Sequence, residues 1–314
     1  MAARPADEDD LVPGCCVAMA RGEVTPMVRD EEHAAVPAGV GPVLDAHVHL
    51  FPERLFQAIW RWFDKHAWEI RYRLHAEQVL EFLCARGVQQ VAGLCYAHTP
   101  GLARTLNTFM RDLARAHGEL VLPLGTVLPG EPDAGAIARE ALGPLGLRGL
   151  KLHCHVQKLA ADDPRLDEIY AACVDAGKPV VIHAGRAPAS PAYGVDTYAL
   201  CEATAVERVL QRFPELTVVV PHLGADEYEA YAALLDRHEN LWLDTTMAVA
   251  GFIGESATPM SVVKTRAARL LYGSDFPNVP YAWDRELRRL AGAQLGATES
   301  AALFGGNARK VFGA

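Results

Sequence analysis

The chain has 314 residues and carries 30 Lys and Arg against 39 Asp and Glu, which gives a formal net charge of −9. Half of the residues are hydrophobic and 22% are charged, a composition that excludes disorder over most of the length. The acidic balance argues against nucleic acid or an anionic membrane as a partner. No apolar run approaches the ~20 residues that span a bilayer.

The cysteines and the N-terminal segment indicate a cytoplasmic protein with an extension. The seven cysteines include no CxxC pair, and their irregular spacing is typical of reduced thiols. The first residues lack the apolar segment of a secretory signal. Residues 1–42 are rich in Ala, Pro, Gly and acidic residues without periodicity, so we expect a partly irregular extension before a domain at residues 43–314.

From Val43 onward, short apolar runs alternate with amphipathic stretches. Strands are predicted at 43–48, 88–95, 121–127, 147–153, 179–183, 216–222, 241–245 and 269–274. Helices are predicted at 76–86, 102–117, 134–142, 163–176, 198–213, 226–237, 261–268 and 285–295. Eight strand-then-helix units predict an α/β fold, the (β/α)8 TIM barrel. A doubly wound sheet is the alternative, but the chain has neither GxGxxG nor a P-loop.

Histidines gather at the ends of the predicted strands. Six of the twelve histidines lie there: His47, His49, His153, His155, His183 and His222. Active sites of barrels are built at the C-terminal ends of the strands. We therefore predict that the active site lies at this end of the barrel.

Two of these histidines form the start of a candidate metal site. His47 and His49 are two residues apart on a strand, so both side chains point to one face. His183 and Asp275, at the ends of two other strands, can complete the set. Three imidazoles and one carboxylate suit one divalent ion, most readily Zn²⁺, with Mn²⁺ or Fe²⁺ as alternatives.

Other strand-end residues have open roles. His222 can be a catalytic group, a metal ligand or a core histidine that is hydrogen-bonded to the backbone. Lys151 can bind a substrate carboxylate, pair with a barrel acid, or be carboxylated and bridge two metals. His153 and His155 share the face of Lys151, so they can bind substrate or complete a second metal site.

Residues after the strands give weaker signals. Arg186 suits a substrate carboxylate because its guanidinium is bidentate. Asp244 is expected to hydrogen-bond a neighbouring strand end rather than to bind a metal. The tryptophans Trp60, Trp62 and Trp68 follow the first strand, and we expect them to pack within a helix rather than to cover the pocket.

The motifs together resemble the amidohydrolase superfamily, and within it the amidohydrolase 2 group of metal-dependent TIM barrels. The matching segments are 44–49 (LDAHVH), 149–153 (GLKLH), 179–185 (PVVIHAG), 221–224 (PHLG), 273–277 (GSDFP) and 307–312 (NARKVF). The resemblance implies one metal ion held by His47, His49, His183 and Asp275. It also implies that His222 polarises or protonates the substrate.

The expected reaction is hydrolysis of a small polar or anionic molecule. A metal-activated water would attack the carbonyl of a lactone, amide or ester, and Asp275 would accept the proton. Lys151, His153, His155 and Arg186 would orient the substrate. A non-oxidative decarboxylase of an aromatic or unsaturated carboxylic acid is the alternative, and a metal-free lactonase or a small-molecule binder is a third. The long barrel helices make a homodimer plausible.

Overall fold

Short parallel strands form the inner wall of the fold. The structure is a computed structural model that describes residues 15–253 and 258–314. In that part of the chain the strands are β1 (Val43–His49), β2 (Val88–Leu94), β3 (Val121–Pro123), β4 (Gly125–Thr126), β5 (Leu150–His153), β6 (Val180–His183), β7 (Val218–Val220), β8 (Leu241–Asp244) and β9 (Leu270–Leu271). The single predicted strand at 121–127 is interrupted at Leu124, so these segments occupy eight strand positions.

Backbone hydrogen bonds close these strands into a ring. The ladders run β1-β2-β3 and β4-β5-β6-β7-β8-β9, all parallel, with β3 and β4 joined through Leu124. The N–H of Ala46 donates to the carbonyl of Tyr272 at 2.8 Å, and the N–H of His49 donates to the carbonyl of Phe276 at 2.8 Å. Because the last strand position thus meets β1, the fold is the predicted (β/α)8 barrel, and the doubly wound alternative is wrong.

Helices form the outer layer. They are α1 (Cys15–Ala20), α2 (Glu53–His66), α3 (Ala76–Ala85), α4 (Leu102–His117), α5 (Ala134–Leu142), α6 (Cys154–Gln157), α7 (Asp167–Ala176), α8 (Thr197–Leu200), α9 (Ala203–Arg212), α10 (Tyr228–Arg237), α11 (Thr258–Arg266), α12 (Arg285–Ala291), α13 (Ala297–Ala301) and α14 (Asn307–Phe312). None of the described helices is long and apolar enough to cross a membrane.

The helices differ from the prediction at two instructive places. The helix predicted at 198–213 is two helices, because the carboxylate of Asp196 accepts from the N–H groups of Tyr198 and Ala199 and so starts a separate short helix. Helix α2 is not among the eight predicted helical ranges, although its tryptophans were expected to pack within a helix. It lies between β1 and α3, so two helices rather than one connect β1 to β2.

The described part of the N-terminal segment is fastened to the barrel. Thr25 forms a β-bridge with Trp68. The carboxylate of Asp30 lies 2.7 Å from Arg71 and 2.9 Å from Arg285, and its side chain is only 4% exposed. Residues 1–14 of the predicted extension lie outside the described residues. The division into an extension at 1–42 and a barrel at 43–314 therefore stays a prediction.

We expect Asp30→Ala to destabilise the fold strongly. Removing a carboxylate shared by two buried or half-buried guanidinium groups costs about 3–5 kcal/mol, because the remaining charges lose their partner in a poorly hydrated place. Urea unfolding followed by circular dichroism measures the change. Asp133→Ala, which breaks an exposed ion pair with Arg104, is the matched control and should keep the wild-type midpoint. Equal midpoints for the two variants would contradict the assignment.

Candidate active site

A cavity of about 420 Å³ opens at the C-terminal ends of the strands. All six predicted strand-end histidines and Asp275 line it together with Lys151. The polar lining consists of His47, His49, His98, Lys151, His153, His155, Lys158, His183, His222, Asp275 and Asn278. The predicted site residues thus meet in one place, with the exception of Arg186, which does not line this cavity.

His47 is held between two carboxylates. Its Nδ1 lies 2.8 Å from Asp244 Oδ2, and its Nε2 lies 3.2 Å from Asp275 Oδ1. Burial, followed by the charge of Lys151, lowers the pKa of His47 to about 4, so the ring is neutral near pH 7 and carries one proton. Asp244 accepts a hydrogen bond from this N–H group. The Nε2 lone pair of His47 and the Asp275 oxygen are then two acceptors in contact, an arrangement that a bound cation would stabilise.

His49 completes this group. Its Nε2 lies 3.0 Å from the same oxygen of Asp275, and the three possible ligand atoms of His47, His49 and Asp275 lie within 4.8 Å of one another. Burial alone would raise the pKa of Asp275, but the hydrogen bond from His49 and the nearby imidazoles hold that pKa well below its usual range. Two imidazoles and an ionised carboxylate are a donor set that fits a divalent ion.

The backbone conformation of Asp275 sets the direction of its side chain. Its φ of 66° lies in the left-handed region, which Asp tolerates better than most residues. Its N–H donates to the carbonyl of His47 at 2.9 Å. The carboxylate of Asp275 and the ring of His47 therefore share one rigid junction between the last and first strands.

His222 orients His183. A carbonyl only accepts, so Nδ1–H of His222 donates to the carbonyl of Thr246 at 2.9 Å. Its Nε2 must then accept, and Nδ1–H of His183 donates to it at 3.0 Å. Both ring nitrogens of His222 are engaged in this way, which is a positioning role. The catalytic role of His222 that was expected from the sequence stays a prediction.

The fourth predicted ligand, His183, groups with other histidines. Its possible ligand atoms lie within 4.8 Å of those of His153 and His155, whereas the first group contains His47, His49 and Asp275. Burial, followed by the neighbouring imidazoles, lowers the pKa of His153 and of His183 well below the ordinary value. The described residues therefore offer two clusters with metal-binding chemistry rather than one set of four.

Lys151 is a buried ammonium group that has no carboxylate partner among the described residues. Its side chain is 1% exposed, and it lines the cavity. No residue that the structure describes forms an ion pair with it, so the expected alternative of a salt bridge to a barrel acid does not occur. Burial lowers the pKa of Lys151 to about 8, while Asp244 and Asp275 act against this shift.

The outer wall of the cavity is aromatic and apolar. Helix α2 and the loops around it supply most of it, and the aromatic members are Phe51, Trp62, Phe63, Trp68, Tyr96 and Tyr193. The expectation that the tryptophans only pack within a helix is wrong for Trp62 and Trp68, which line the cavity, while Trp60 is 7% exposed and packs against Phe56. The sequence placed the tryptophans after β1 but did not show that α2 borders the mouth of the barrel.

Arg186 and Asp244 do not line the cavity and instead contact neighbouring parts of the barrel. The Nε of Arg186 lies 3.3 Å from the carboxylate of Glu227 and 3.3 Å from the carbonyl of Cys201, so its guanidinium is engaged away from the cavity. Asp244 accepts from the N–H of His222 at 3.0 Å, across the boundary between β8 and β7. The prediction that Asp244 bonds a neighbouring strand end is therefore confirmed.

A comparison with protein families identifies the family of this chain. Residues 44–314 match the family model described as amidohydrolase. The chain belongs to the amidohydrolase family. It is thus an enzyme of a metal-dependent family that includes hydrolases and decarboxylases. A search of curated proteins finds no match.

Solved structures share the barrel of this amidohydrolase. An uncharacterized TIM-barrel protein from Bordetella bronchiseptica is 23% identical, with a TM-score of 0.69 over 87% of this chain and 99% of that one. A 5-carboxyvanillate decarboxylase from Novosphingobium aromaticivorans, with bound manganese, is 18% identical, with a TM-score of 0.63 over 90% and 100%. A 2,6-dihydroxybenzoate decarboxylase from Rhizobium is 15% identical, with a TM-score of 0.62 over 87% and 98%.

We expect Asp244→Asn to weaken metal binding by about 10- to 100-fold, because a carboxylate that fixes the tautomer of a metal-binding imidazole contributes that much. The dissociation constant is measured by competition with a chelating dye. His47→Ala, which removes the ligand itself, should lose an ion per chain and sets the lower limit. His98→Ala, an exposed histidine at the same cavity, is the control. An unchanged constant for Asp244→Asn would show that Asp244 does not support a ligand.

Proposed function

We propose that this amidohydrolase is a metal-dependent, non-oxidative decarboxylase of an aromatic or unsaturated carboxylic acid. The observation that carries the proposal is Lys151, a buried ammonium group without an ionic partner among the described residues, in a cavity that aromatic side chains also line. A buried, unpaired charge is costly in a resting protein. A substrate carboxylate would supply the missing counter-charge.

The aromatic wall defines the rest of the substrate. Phe51, Trp62, Phe63 and Tyr193 offer flat apolar surfaces, and the cavity of about 420 Å³ suits a molecule of one ring with small substituents. A ring held against this wall would present its carboxylate to Lys151 and to the histidine cluster. The geometry therefore favours a planar acid over a flexible polar amide.

His47, His49 and Asp275 would hold a divalent ion, with His183 as the predicted fourth ligand. An ion bound there supplies a Lewis acid that withdraws electron density from a carboxylate or carbonyl oxygen. Zn²⁺ suits the imidazole-rich donor set, and Mn²⁺ or Fe²⁺ are the alternatives. Manganese is bound in the decarboxylase from Novosphingobium aromaticivorans, which supports Mn²⁺ as a candidate.

Asp275 is placed to handle the proton. In decarboxylation the bond between the ring carbon and the carboxyl carbon breaks, its electron pair stays on the ring carbon, and CO₂ leaves. A proton must then reach that carbon. Asp275 is the only carboxylic acid among the described residues that line the cavity. Because Asp275 is ionised at rest, we infer that it first takes a proton from water and then passes it to that carbon, while Lys151 binds the substrate carboxylate before the bond breaks. The hydroxide left by the water is taken up by the departing CO₂ as bicarbonate.

The decarboxylases among the structural relatives support this reaction class, although their identities of 15% and 18% establish only the shared fold. Hydrolysis of a lactone, amide or ester is the second candidate. It is favoured by the ionised Asp275, which can take a proton from water and pass it to a leaving group. A cytoplasmic location and a homodimer stay predictions.

Isotope labelling separates the two reactions. We expect incubation with a panel of aromatic and unsaturated carboxylic acids in D₂O to release CO₂ and to place one deuterium on the carbon that lost it, seen by NMR and mass spectrometry. The His47→Ala variant is the control for contaminating activity. Incorporation of ¹⁸O from labelled water into the product of a lactone or ester, with no CO₂ from any acid, would replace decarboxylation by hydrolysis.

Lys151→Met is expected to weaken binding of the acid by roughly 10- to 150-fold, because a hydrogen bond to a charged group is worth about 1.5–3 kcal/mol. The measurement is the dissociation constant of an unreactive aromatic carboxylate, from calorimetry on the metal-loaded protein. Lys158→Met removes an exposed ammonium group that lines the same cavity, and we expect a smaller loss. Equal losses would assign the carboxylate to the rim instead of to Lys151.

A further inference from the structure

A second cavity lies at the end of the barrel opposite to the active site. Its volume is about 880 Å³, and residues at the starts of β2 and β3, together with the segment just before β5, form much of its lining. Strand starts lie at the N-terminal end of a barrel, whereas the active-site cavity opens at the strand ends. The two cavities share none of their described lining residues, so they are separate sites.

Arginines from three parts of the chain converge on this second cavity. Two come from α4, one from the loop before β5 and one from α14, and they are Arg111, Arg115, Arg148 and Arg309. Glu119 supplies the one carboxylate side chain of the described lining. Even with a carboxylate at Ala314 counted, four positive charges meet two negative ones. This local excess is opposite in sign to the net charge of −9 on the chain.

Three of these four guanidinium groups have no counter-charge in the part of the chain that the structure describes. Arg111 pairs with its neighbour Asp112 at 2.7 Å. Arg115, Arg148 and Arg309 form no ion pair with any described residue. Arg115 is exposed, and the other two are half-buried. The cavity, which we call the arginine cavity, therefore carries positive charge that an anion can neutralise.

Neutral contacts hold the two half-buried arginines in place. Nη1 of Arg148 donates to the carbonyl of Gly313 at 2.7 Å. Nε of Arg309 donates to Oε1 of Gln90 at 3.1 Å, and Nε2 of Gln90 donates in turn to the carbonyl of Glu119 at 3.0 Å. Each contact uses one guanidinium nitrogen and neutralises no charge. The remaining donors are thus ordered before a ligand arrives, which lowers the entropy cost of binding.

We propose that the arginine cavity binds a small molecule that carries several negative charges on phosphate groups. A phosphoryl group presents three acceptor oxygens and up to about two negative charges, so it can engage guanidinium groups from more than one element. A carboxylate offers two oxygens and one charge, which a single guanidinium already satisfies. The cavity volume lies within the usual range of small-molecule sites. The net negative charge of the chain disfavours a nucleic acid polymer as the ligand.

Binding of inorganic pyrophosphate to the protein as purified tests the proposal. We expect isothermal titration calorimetry to show one ion per chain, with an affinity that falls as NaCl is added, because salt screens accessible charges. Arg148→Gln and Arg309→Gln should each raise the dissociation constant by roughly 10- to 150-fold, because each removes hydrogen bonds from a charged group. Arg61→Gln removes an exposed arginine of α2, at the mouth of the barrel, and should bind as the wild type does.

Arg115→Glu keeps the test decisive if the half-buried variants do not fold. Arg115 is exposed and has no contact with a described side chain, so charge reversal should leave the circular dichroism spectrum and the melting temperature unchanged while it abolishes pyrophosphate binding.

Three results would overturn the proposal. The first is a wild-type protein that does not bind pyrophosphate. The second is binding that survives Arg115→Glu but is lost in Lys151→Met, which would place the anion in the active site. The third is tighter binding of citrate than of pyrophosphate, which would replace phosphate groups by carboxylates. None of these measurements depends on decarboxylation, so the two proposals fail independently.

Discussion

The carboxylate of Asp244 is the interaction on which the rest of the site depends. One oxygen accepts a hydrogen bond from Nδ1–H of His47, and the other accepts from the backbone N–H groups of His222 and Thr246. Burial alone would raise the pKa of Asp244, but the adjacent imidazole of His47 and its hydrogen bond help to lower that pKa to about 2. Because Asp244 stays ionised, His47 keeps its lone pair on Nε2, and the end of β7 is held where His222 can reach His183.

A second constraint is the burial of many acceptors around one ammonium group. Burial lowers the pKa values of His47, His153, His183 and His222. The rings of His47, His222 and His155 donate one hydrogen bond each, to Asp244, Thr246 and Gly185. The nitrogens that remain face the cavity as acceptors, while Lys151 faces it as a donor. The lining suits cations at the histidine clusters and an anion at the lysine, and aromatic side chains of α2 form part of the wall.

Much of this arrangement could be predicted from the sequence. The alternation of strands and helices gave the barrel, and the placement of His47, His49 and Asp275 at strand ends gave one metal-binding group. The prediction was possible because both depend on local periodicity and on one general rule of barrels. Which side chains of β1 point into the barrel was harder to predict from the sequence. Its register shifts between Asp45 and Val48, so Leu44 and Ala46 belong to the barrel interior together with the cavity-facing His47 and His49.

The remainder depends on tertiary contacts that have no local signal. Arg186 contacts Glu227, which follows the neighbouring strand β7, and Trp62 lines the cavity because α2 borders the mouth of the barrel. The grouping of His183 with His153 and His155 follows from the pairing of β5 with β6, which places His153 opposite His183. The sequence predicts that these residues lie at strand ends, but it does not show which of them face each other.

The fastening of the N-terminal segment has a consequence for the order of folding. Asp30 and Arg285 are 255 residues apart in the chain, and the ring closes through contacts between β1 and residues 272–276. A growing polypeptide therefore cannot close its barrel until residues 272–276 have left the ribosome. Contacts of such long sequence separation slow folding, and the apolar edges of β1 and its neighbours stay exposed in the meantime. Until residues 272–276 pair with β1, they cannot cover its apolar edge.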